Sequence, residues 1–186
     1  LIASISARHC HLDQRGLEAL FGTAASLTVL KPLYQEGAFA AEQTVTIFGP
    51  RQQMIANLRI LGPLREACQV ELAFTDARFL GIEAPVCISG NTDGTPGCFL
   101  VGPVGGLELE SGVIRAARHV HMSPAEAVYY NVAEGDRMRL VVDSDQPGVL
   151  DDVIVRICDQ SRLEVHVDTD EGNSLDLVNA IKVTIS

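Results

Sequence analysis

Four of the chain's five histidines occur as two His-x-His pairs, His9 with His11 and His119 with His121. In an extended segment, side chains two residues apart point to the same face, so each pair presents two imidazole rings together. Neutral imidazole nitrogens are good ligands for divalent metals such as zinc. One such pair alone is more often just two partly exposed side chains, but two copies favour one or two metal ions.

Two further residues could complete these ligand sets. Hydrophobic residues alternate from Leu163 to Asp168, which places Glu164 and His166 together on the polar face of a predicted strand. Glu71 is placed in the same way in a predicted strand from Gln69 to Thr75. Five histidines and a carboxylate suit zinc, which accepts nitrogen and oxygen ligands and can keep one coordination position open for chemistry.

The two His-x-His pairs lie in an internal repeat. Residues 6–13 read Ser-Ala-Arg-His-Cys-His-Leu-Asp, and residues 116–123 read Ala-Ala-Arg-His-Val-His-Met-Ser. The first copy leads into a predicted helix with Asp13 as N-cap and Gly22 as its end, and the second into a capping box that begins at Ser123. Each copy is an extended piece followed by a short helix, which predicts two related halves.

Elsewhere, short runs of alternating hydrophobic residues are separated by Gly-Pro and other turn signals. The predicted strands are Thr44–Phe48, Leu58–Leu61, Gln69–Thr75, Phe99–Val101, Arg137–Val142, Val153–Ile157, Leu163–Asp168 and Ile181–Ile185. This pattern predicts a mainly β fold with short capping α-helices, arranged as two related small β-barrel domains with a pseudo-twofold internal repeat. A long helical bundle is excluded.

Composition excludes several classes of protein. The formal net charge of −10 argues against a nucleic acid or an anionic membrane as the main partner. No apolar run reaches the roughly 18 residues of a membrane span, and no secretory signal is visible. An odd number of cysteines at irregular spacing predicts a reducing, cytoplasmic location. Alternation points Cys10 away from the neighbouring histidines, which favours a small buried hydrophobic residue there.

Candidate anion-binding groups lie near the predicted metal ligands. Arg65 precedes the segment that carries Glu71, and Arg156 lies in a predicted strand. The planar guanidinium can donate two parallel hydrogen bonds to phosphate. The loop from Ser89 to Gly97 is rich in glycine and small polar residues, which allows close approach of backbone N–H groups to a ligand, although an ordinary multi-turn connection is the commoner interpretation.

Motifs in a fixed order resemble the phosphate propanoyltransferases of the PduL type, a family of phosphotransacylases. They are Arg8–Leu12, Leu61–Arg65, Gln69–Glu71, Thr75–Asp76, Gly94–Gly97, Leu100–Pro103, Gly112–Ile114, Arg118–Met122 and His166–Glu171. The resemblance implies one β-barrel domain of residues 1–8 with 117–186, in which the N-terminal strand joins the C-terminal half. It implies a second barrel with a helical insert over residues 9–116, and an active site between the two.

The resemblance also implies a set of site residues. Two zinc ions per chain would be held by His9, His11, Glu71, His119, His121 and His166. Arg65 matches the family's phosphate-binding arginine and is the candidate catalytic residue. The other positions that match the lining of the substrate site are Gln69, Ser89 and Arg156.

The activity implied is the interconversion of acyl-CoA and phosphate with acyl phosphate and coenzyme A, by direct transfer at a dinuclear zinc site. Propanoyl-CoA and acetyl-CoA are the expected acyl donors. The resemblance further implies a homodimer and a place in the lumen of a bacterial microcompartment, with shell or cargo proteins as partners. From the residues alone, a zinc-dependent thioester hydrolase and a non-catalytic scaffold joined by zinc remain open.

Overall fold

The computed structural model describes residues 1–186 and confirms the predicted mainly β fold with short α-helices. The chain divides into two compact units, each built on a sheet that curls into a half-barrel. The continuous unit is Arg8–Ala116, and the split unit combines Leu1–Ala7 with Ala117–Ser186. None of the helices has the length and apolarity needed to cross a lipid bilayer.

The continuous unit carries nine strands and two helices. Its strands are β2 (His9–His11), β3 (Val29–Pro32), β4 (Phe39–Phe48), β5 (Met54–Gly62), β6 (Gln69–Glu71), β7 (Val86–Cys87), β8 (Cys98–Val101), β9 (Gly106–Leu109) and β10 (Val113–Ala116), with helices α1 (Gln14–Phe21) and α2 (Phe74–Leu80). The sheet has the order β7-β10-β6-β2-β5-β4-β8-β9, and β3 pairs with β4. The strand that holds the first His-x-His pair therefore lies near the middle of its sheet.

The split unit is smaller, and its His-x-His strand also lies inside its sheet. Its elements are β1 (Ile2–Ser6), β11 (His119–Met122), α3 (Pro124–Tyr130), β12 (Arg137–Asp143), β13 (Gly148–Ile157), β14 (Glu164–Asp168), α4 (Thr169–Ser174), a 3-10 helix (Leu177–Asn179) and β15 (Lys182–Ile185). Its sheet has the order β1-β14-β11-β13-β12-β15. Strand β1, which precedes the first His-x-His pair in sequence, thus completes the sheet that holds the second pair.

The internal repeat extends to the pairing of the strands. Each His-x-His strand has one parallel neighbour and one antiparallel neighbour, β5 and β6 for β2, and β13 and β14 for β11. In both units the long parallel neighbour contains a register shift with one residue at positive φ, Asn57 at 58° and Asp152 at 59°. Asn and Asp tolerate this left-handed conformation better than most residues, so both bulges have suitable side chains.

Capping residues fix the helix that follows each His-x-His strand. Asp13 accepts a hydrogen bond from the backbone N–H of Gly16 at 2.7 Å, and α1 ends at Gly22 with φ of 95°. Ser123 and Glu126 form the reciprocal capping box that the sequence predicted for α3. These caps hold each helix at the end of a His-x-His strand.

Each unit buries its own apolar core beneath these strands. In the continuous unit the core includes Cys10, Leu12 and Ile60, and in the split unit it includes Val120 and Val155. Cys10 is fully buried, as alternation predicted. Residues between the histidines therefore pack inward, which leaves the imidazole rings on the opposite face.

The predicted strand from Gln69 to Thr75 is too long. Strand β6 ends at Glu71, and helix α2 begins at Phe74, so the side chain of Phe74 is exposed rather than buried. Its ring lies 4.9 Å from the guanidinium carbon of Arg115, a favourable cation–π arrangement. The short apolar run fits either a strand or the start of a helix, which explains the error.

Candidate metal centres

The first candidate centre, called the His9 centre, consists of His9, His11 and Glu71. The register of β2 and β6 places His9 directly opposite Glu71. Nε2 of His9 lies 3.4 Å from Oε2 of Glu71, and Nε2 of His11 lies 3.9 Å from Oε1. One potential ligand atom from each residue lies within 4.8 Å of the other two, and all three residues are buried.

Burial and nearby charges give His11 and Glu71 the protonation states that a metal needs. Burial, with His9 and Arg65 acting in the same direction and Glu71 opposing them, lowers the pKa of His11 to about 3. Burial opposes ionisation of Glu71, but His9, Ser89 and His11 together hold its pKa below the ordinary value. At neutral pH the His11 ring is therefore uncharged and the Glu71 carboxylate is ionised, as metal binding requires.

A hydrogen-bonded network connects Glu71 to an arginine. Ser89 Oγ donates to Oε1 of Glu71 at 2.7 Å, and Nε2 of Gln69 donates to the same oxygen at 2.6 Å. Gln69 also donates to Ser89 at 2.9 Å, and its own carbonyl accepts from the backbone N–H of Gly90 at 2.8 Å. One amino group of Arg65 donates to Ser89 at 3.1 Å. The structure thus brings together Arg65, Gln69 and Ser89 beside the His9 centre.

The second candidate centre, called the His119 centre, consists of His119, His121 and His166. Nδ1 of His119 donates to the carbonyl of Ala117 at 2.8 Å, because a carbonyl can only accept. This leaves the lone pair of His119 on Nε2, which lies 3.1 Å from Nε2 of His121. The ring of His166 is 5.0 and 5.1 Å from the other two ring centroids. One ring nitrogen from each lies within 4.8 Å of the others.

Burial and nearby charges in the His119 centre favour a neutral His121 ring. Burial lowers the pKa of His121 to about 3, His119, His166 and Arg156 act in the same direction, and Glu164 opposes them. Arg156 lies opposite His121 in the register of β11 and β13. Its guanidinium pairs with Glu134 at 3.2 Å. The split unit therefore places one arginine beside its own histidines.

The donor sets fit zinc in both units. Two ligands bound tetrahedrally at the usual zinc distances of 2.0–2.1 Å lie about 3.3 Å apart. The His9–Glu71 separation of 3.4 Å and the His119–His121 separation of 3.1 Å are close to this value. His9, His11 and Glu71 would hold one ion, and His119, His121 and His166 another. Three protein ligands leave the fourth position open, as in catalytic zinc sites.

The two arginines next to the His-x-His pairs have internal partners. Arg8 pairs with Asp76 in α2 at 3.0 Å, and Arg118 pairs with Glu171 in α4 at 2.9 Å. Each helix follows the strand that carries the third residue of its candidate centre, Glu71 or His166. The repeat therefore includes an ion pair that ties the His-x-His strand to this helix, and these arginines are occupied in that role.

Sequence reasoning did not assign a role to Glu164, although alternation placed it on the same face as His166. The structure buries its side chain against His166, with Nε2 of His166 and Oε2 of Glu164 2.8 Å apart. The register that brings Glu164 opposite His121 depends on pairing between distant strands. Local sequence carries no such information, so only its position on the polar face could have indicated it.

Comparison with known proteins identifies the family. The family model described as phosphate propanoyltransferase matches residues 2–178. The chain belongs to the phosphate propanoyltransferase family. As a member of this family it is an enzyme of the phosphate acyltransferase class.

Named relatives cover nearly the whole chain. A phosphate propanoyltransferase of Planctopirus limnophila is 56% identical over 100% of this chain and 76% of its own length. One from Thermotoga maritima is 47% identical over 94% of this chain and 83% of its own length. One from Salmonella typhimurium is 48% identical over 91% of this chain and 80% of its own length.

Proposed function

We propose that this family member interconverts an acyl-CoA and inorganic phosphate with an acyl phosphate and coenzyme A, using propanoyl-CoA or acetyl-CoA. One zinc ion bound at the His9 centre and one at the His119 centre are part of this proposal. The observation that carries it is the network from Glu71 through Ser89 to Arg65, because it couples a metal-ligand carboxylate to a group suited to phosphate.

Arg65 is the proposed phosphate-binding residue. Its side chain is exposed, and one of its amino groups is held by Ser89 at 3.1 Å. A guanidinium has five N–H donors, so the contact with Ser89 orients the group while other donors stay available to an anion. Phosphate is a weak nucleophile, and fixing it next to the thioester carbonyl supplies much of the rate enhancement.

The remaining residues of the proposed substrate site hold and orient polar groups. Gln69 and Ser89 keep the Glu71 carboxylate in place, and Arg156 adds positive charge beside His121. Bound zinc would supply Lewis acidity and would favour the departing thiolate of coenzyme A. Arg65 and Arg156 would bind the anionic parts of the substrates.

Direct transfer, without an acyl-enzyme, is the proposed route. Cys10 lies between His9 and His11 in sequence, but its thiol is fully buried in the core. Burial raises the pKa of the Cys10 thiol far above its ordinary value, with Cys68 and Cys98 adding to the effect. A buried neutral thiol is a poor nucleophile, so attack by phosphate on the thioester needs no cysteine intermediate.

The decisive experiment is an assay of thiol release from propanoyl-CoA and acetyl-CoA, with and without phosphate. We expect release that requires phosphate, yields acyl phosphate and stops when a chelator removes the metal. Arg139→Ala is a suitable control variant, since Arg139 forms an exposed surface ion pair with Asp151, which contributes little to stability.

Two outcomes would favour the alternatives. Release of thiol without phosphate would make the chain a zinc-dependent hydrolase, in which water replaces phosphate as the nucleophile. No turnover with both centres fully loaded would make it a non-catalytic scaffold. His-rich centres with an adjacent arginine favour catalysis over that role, because closed structural zinc sites are dominated by cysteine.

The assembly proposed from the family resemblance is a homodimer located in a bacterial microcompartment in the cytoplasm. Light scattering after size-exclusion chromatography tests the dimer. Co-purification of the full-length protein with shell or cargo proteins from the native host tests the location. A monomer, or a protein evenly distributed outside such compartments, would contradict these two points.

A further inference from the structure

Glu134 is an exposed residue whose backbone has a fixed position in the split unit. It lies in the turn between α3 and β12, where the N–H of Asp136 donates to the carbonyl of Ala133 at 3.1 Å and Gly135 has φ of 83°. The N–H of Gly135 donates to the carbonyl of Val155 in β13 at 2.9 Å, and the N–H of Val155 donates to the carbonyl of Asp136 at 2.8 Å. The turn that carries Glu134 is therefore held by β13 itself.

The two carboxylate oxygens of Glu134 have different partners on β13. Oε2 accepts from the backbone N–H of Ile157 at 2.5 Å, and Oε1 lies 3.2 Å from Nε of Arg156. Exposed ion pairs usually contribute little, because two long side chains must be ordered to form them. Here the hydrogen bond to the main chain already orders one of the two. Glu134 therefore orients Arg156 at a lower cost in entropy than a typical surface pair requires.

Arg156 lies beside the His119 centre. It is the partner of His121 in the parallel register of β11 and β13, and partners in register present their side chains on the same face of the sheet. A guanidinium has five N–H donors, four of them on its two terminal amino groups. Because the 3.2 Å contact with Glu134 is made by Nε, the terminal amino groups stay available to an anionic ligand.

We propose that Glu134 is a positioning residue, which holds Nε of Arg156 so that the terminal amino groups of this arginine bind the anionic part of a substrate. The inference rests on the proposed function and deepens it, because it explains how a partly exposed arginine keeps one orientation before the substrate arrives. A side chain that is ordered in advance loses less conformational entropy on binding, which makes binding tighter. Glu134 acts through Arg156 and not by contact with the substrate.

The test compares the KM values for phosphate and for propanoyl-CoA in four variants. In Glu134→Gln the amide oxygen can still accept from the N–H of Ile157, but the charged acceptor for Arg156 is lost. Arg156→Ala and the double variant complete a cycle. Asp151→Asn is the matched control, because Asp151 forms an exposed pair with Nε of Arg139 at 2.6 Å in the same unit.

We expect Arg156→Ala to raise the KM of the substrate that this arginine binds. Glu134→Gln should raise the same KM by about 2- to 12-fold with a smaller change in kcat, which is the effect of ordering one long side chain in advance. In the background of Arg156→Ala it should cause no further rise. Asp151→Asn should change neither KM.

The direction of the change separates orientation from simple charge. A carboxylate beside the binding group repels an anion, so neutralising a Glu134 that does not orient Arg156 would lower the KM. An unchanged or lowered KM in folded Glu134→Gln, or an equal rise in the background of Arg156→Ala, would overturn the inference. Unchanged KM values in Arg156→Ala would refute the proposed role of Arg156 and this inference with it. Thiol release that needs no phosphate would instead refute the proposed function.

A second measurement follows the arginine itself, without turnover. In protein with 15N-labelled arginine, the order parameter of Nε–H reports motion of the guanidinium on the picosecond to nanosecond timescale. The Arg156 signal is assigned by its loss in Arg156→Ala. We expect a higher order parameter in the unmodified protein than in folded Glu134→Gln, and no difference between the unmodified protein and Asp151→Asn. Equal order parameters in the unmodified protein and Glu134→Gln would overturn the inference.

Discussion

Replacement of Ser89 by alanine removes one hydroxyl group that forms hydrogen bonds with three side chains. Ser89 Oγ donates to Glu71 at 2.7 Å and accepts from Arg65 at 3.1 Å and from Gln69 at 2.9 Å. In Ser89→Ala, the buried Glu71 carboxylate keeps the Gln69 donor and loses the serine donor. Because only 8% of Glu71 is exposed, water has little access to replace the lost hydrogen bond.

The expected magnitude follows from the charge on the acceptor. A hydrogen bond to an ionised group contributes roughly 1.5–3 kcal/mol. If the bound metal depends on the full strength of this contact, the affinity of the His9 centre falls about 10- to 150-fold. The His119 centre has no residue in this network, so its affinity should not change.

Calorimetric titration of metal-free protein with zinc separates the two sites. We expect one weakened and one unchanged site in Ser89→Ala, and two unchanged sites in the control Ser111→Ala, whose side chain is exposed. Two sites of unchanged affinity in Ser89→Ala would refute the role of the network. Equal weakening of both sites would mean that the substitution disturbs the protein as a whole, which would also contradict the reasoning.

Three further predictions concern catalysis and stability. Arg65→Ala should raise the KM for phosphate at least tenfold with a smaller change in the KM for acyl-CoA, and an unchanged phosphate dependence in steady-state kinetics would disprove the role of Arg65. Cys10→Ala should retain substantial activity in the thiol-release assay, and near-complete loss in a folded, metal-loaded variant would argue for an acyl-cysteine intermediate. The metal-free protein should lose stability as the pH falls from about 6.5 towards 3, because unfolded His11 and His121 bind protons that the folded rings, with pKa lowered to about 3, do not. The free energy of unfolding, measured with urea at pH 7 and pH 5, should fall by up to about 1.4 kcal/mol per pH unit for each histidine, with less from the partly exposed His121. Equal stability at both pH values would contradict the lowered pKa values.

Local patterns in the sequence were sufficient for the parts of the fold that depend on neighbouring residues. Alternation placed each His-x-His pair on one face and Cys10 on the other, and the structure buries Cys10 in the core. Asp13 and Ser123 cap the helices as predicted, because an N-cap acts within a few residues. The roles of the six proposed metal ligands remain predictions, although the structure groups them into two sets of three.

Pairing between distant strands could not be derived from local patterns. Gln69 hydrogen-bonds with Glu71 and Ser89 and is only 3% exposed, and no local pattern in the sequence indicates this network. Glu164 acquires its contacts with His121 and Ser4 only through β11 and β1, which are far from it in sequence. Alternation gives the face of a strand but not the identity of its neighbours, so such polar groupings emerge only in the folded chain.

The exchange of β1 into the split unit has a consequence for the order in which the chain folds during synthesis. All strands of the continuous unit have been made once Ala116 has left the ribosome. Strand β1 cannot pair with β14 until Glu164, the partner of Ile2, has been synthesised. At 5–20 residues per second, the ribosome needs roughly 10–30 s to go from Ile2 to Glu164. During this time β1 is an unpaired strand that can pair with the wrong partner. All three residues of the His9 centre can therefore come together on a nascent chain, whereas those of the His119 centre can do so only after His166 has been made.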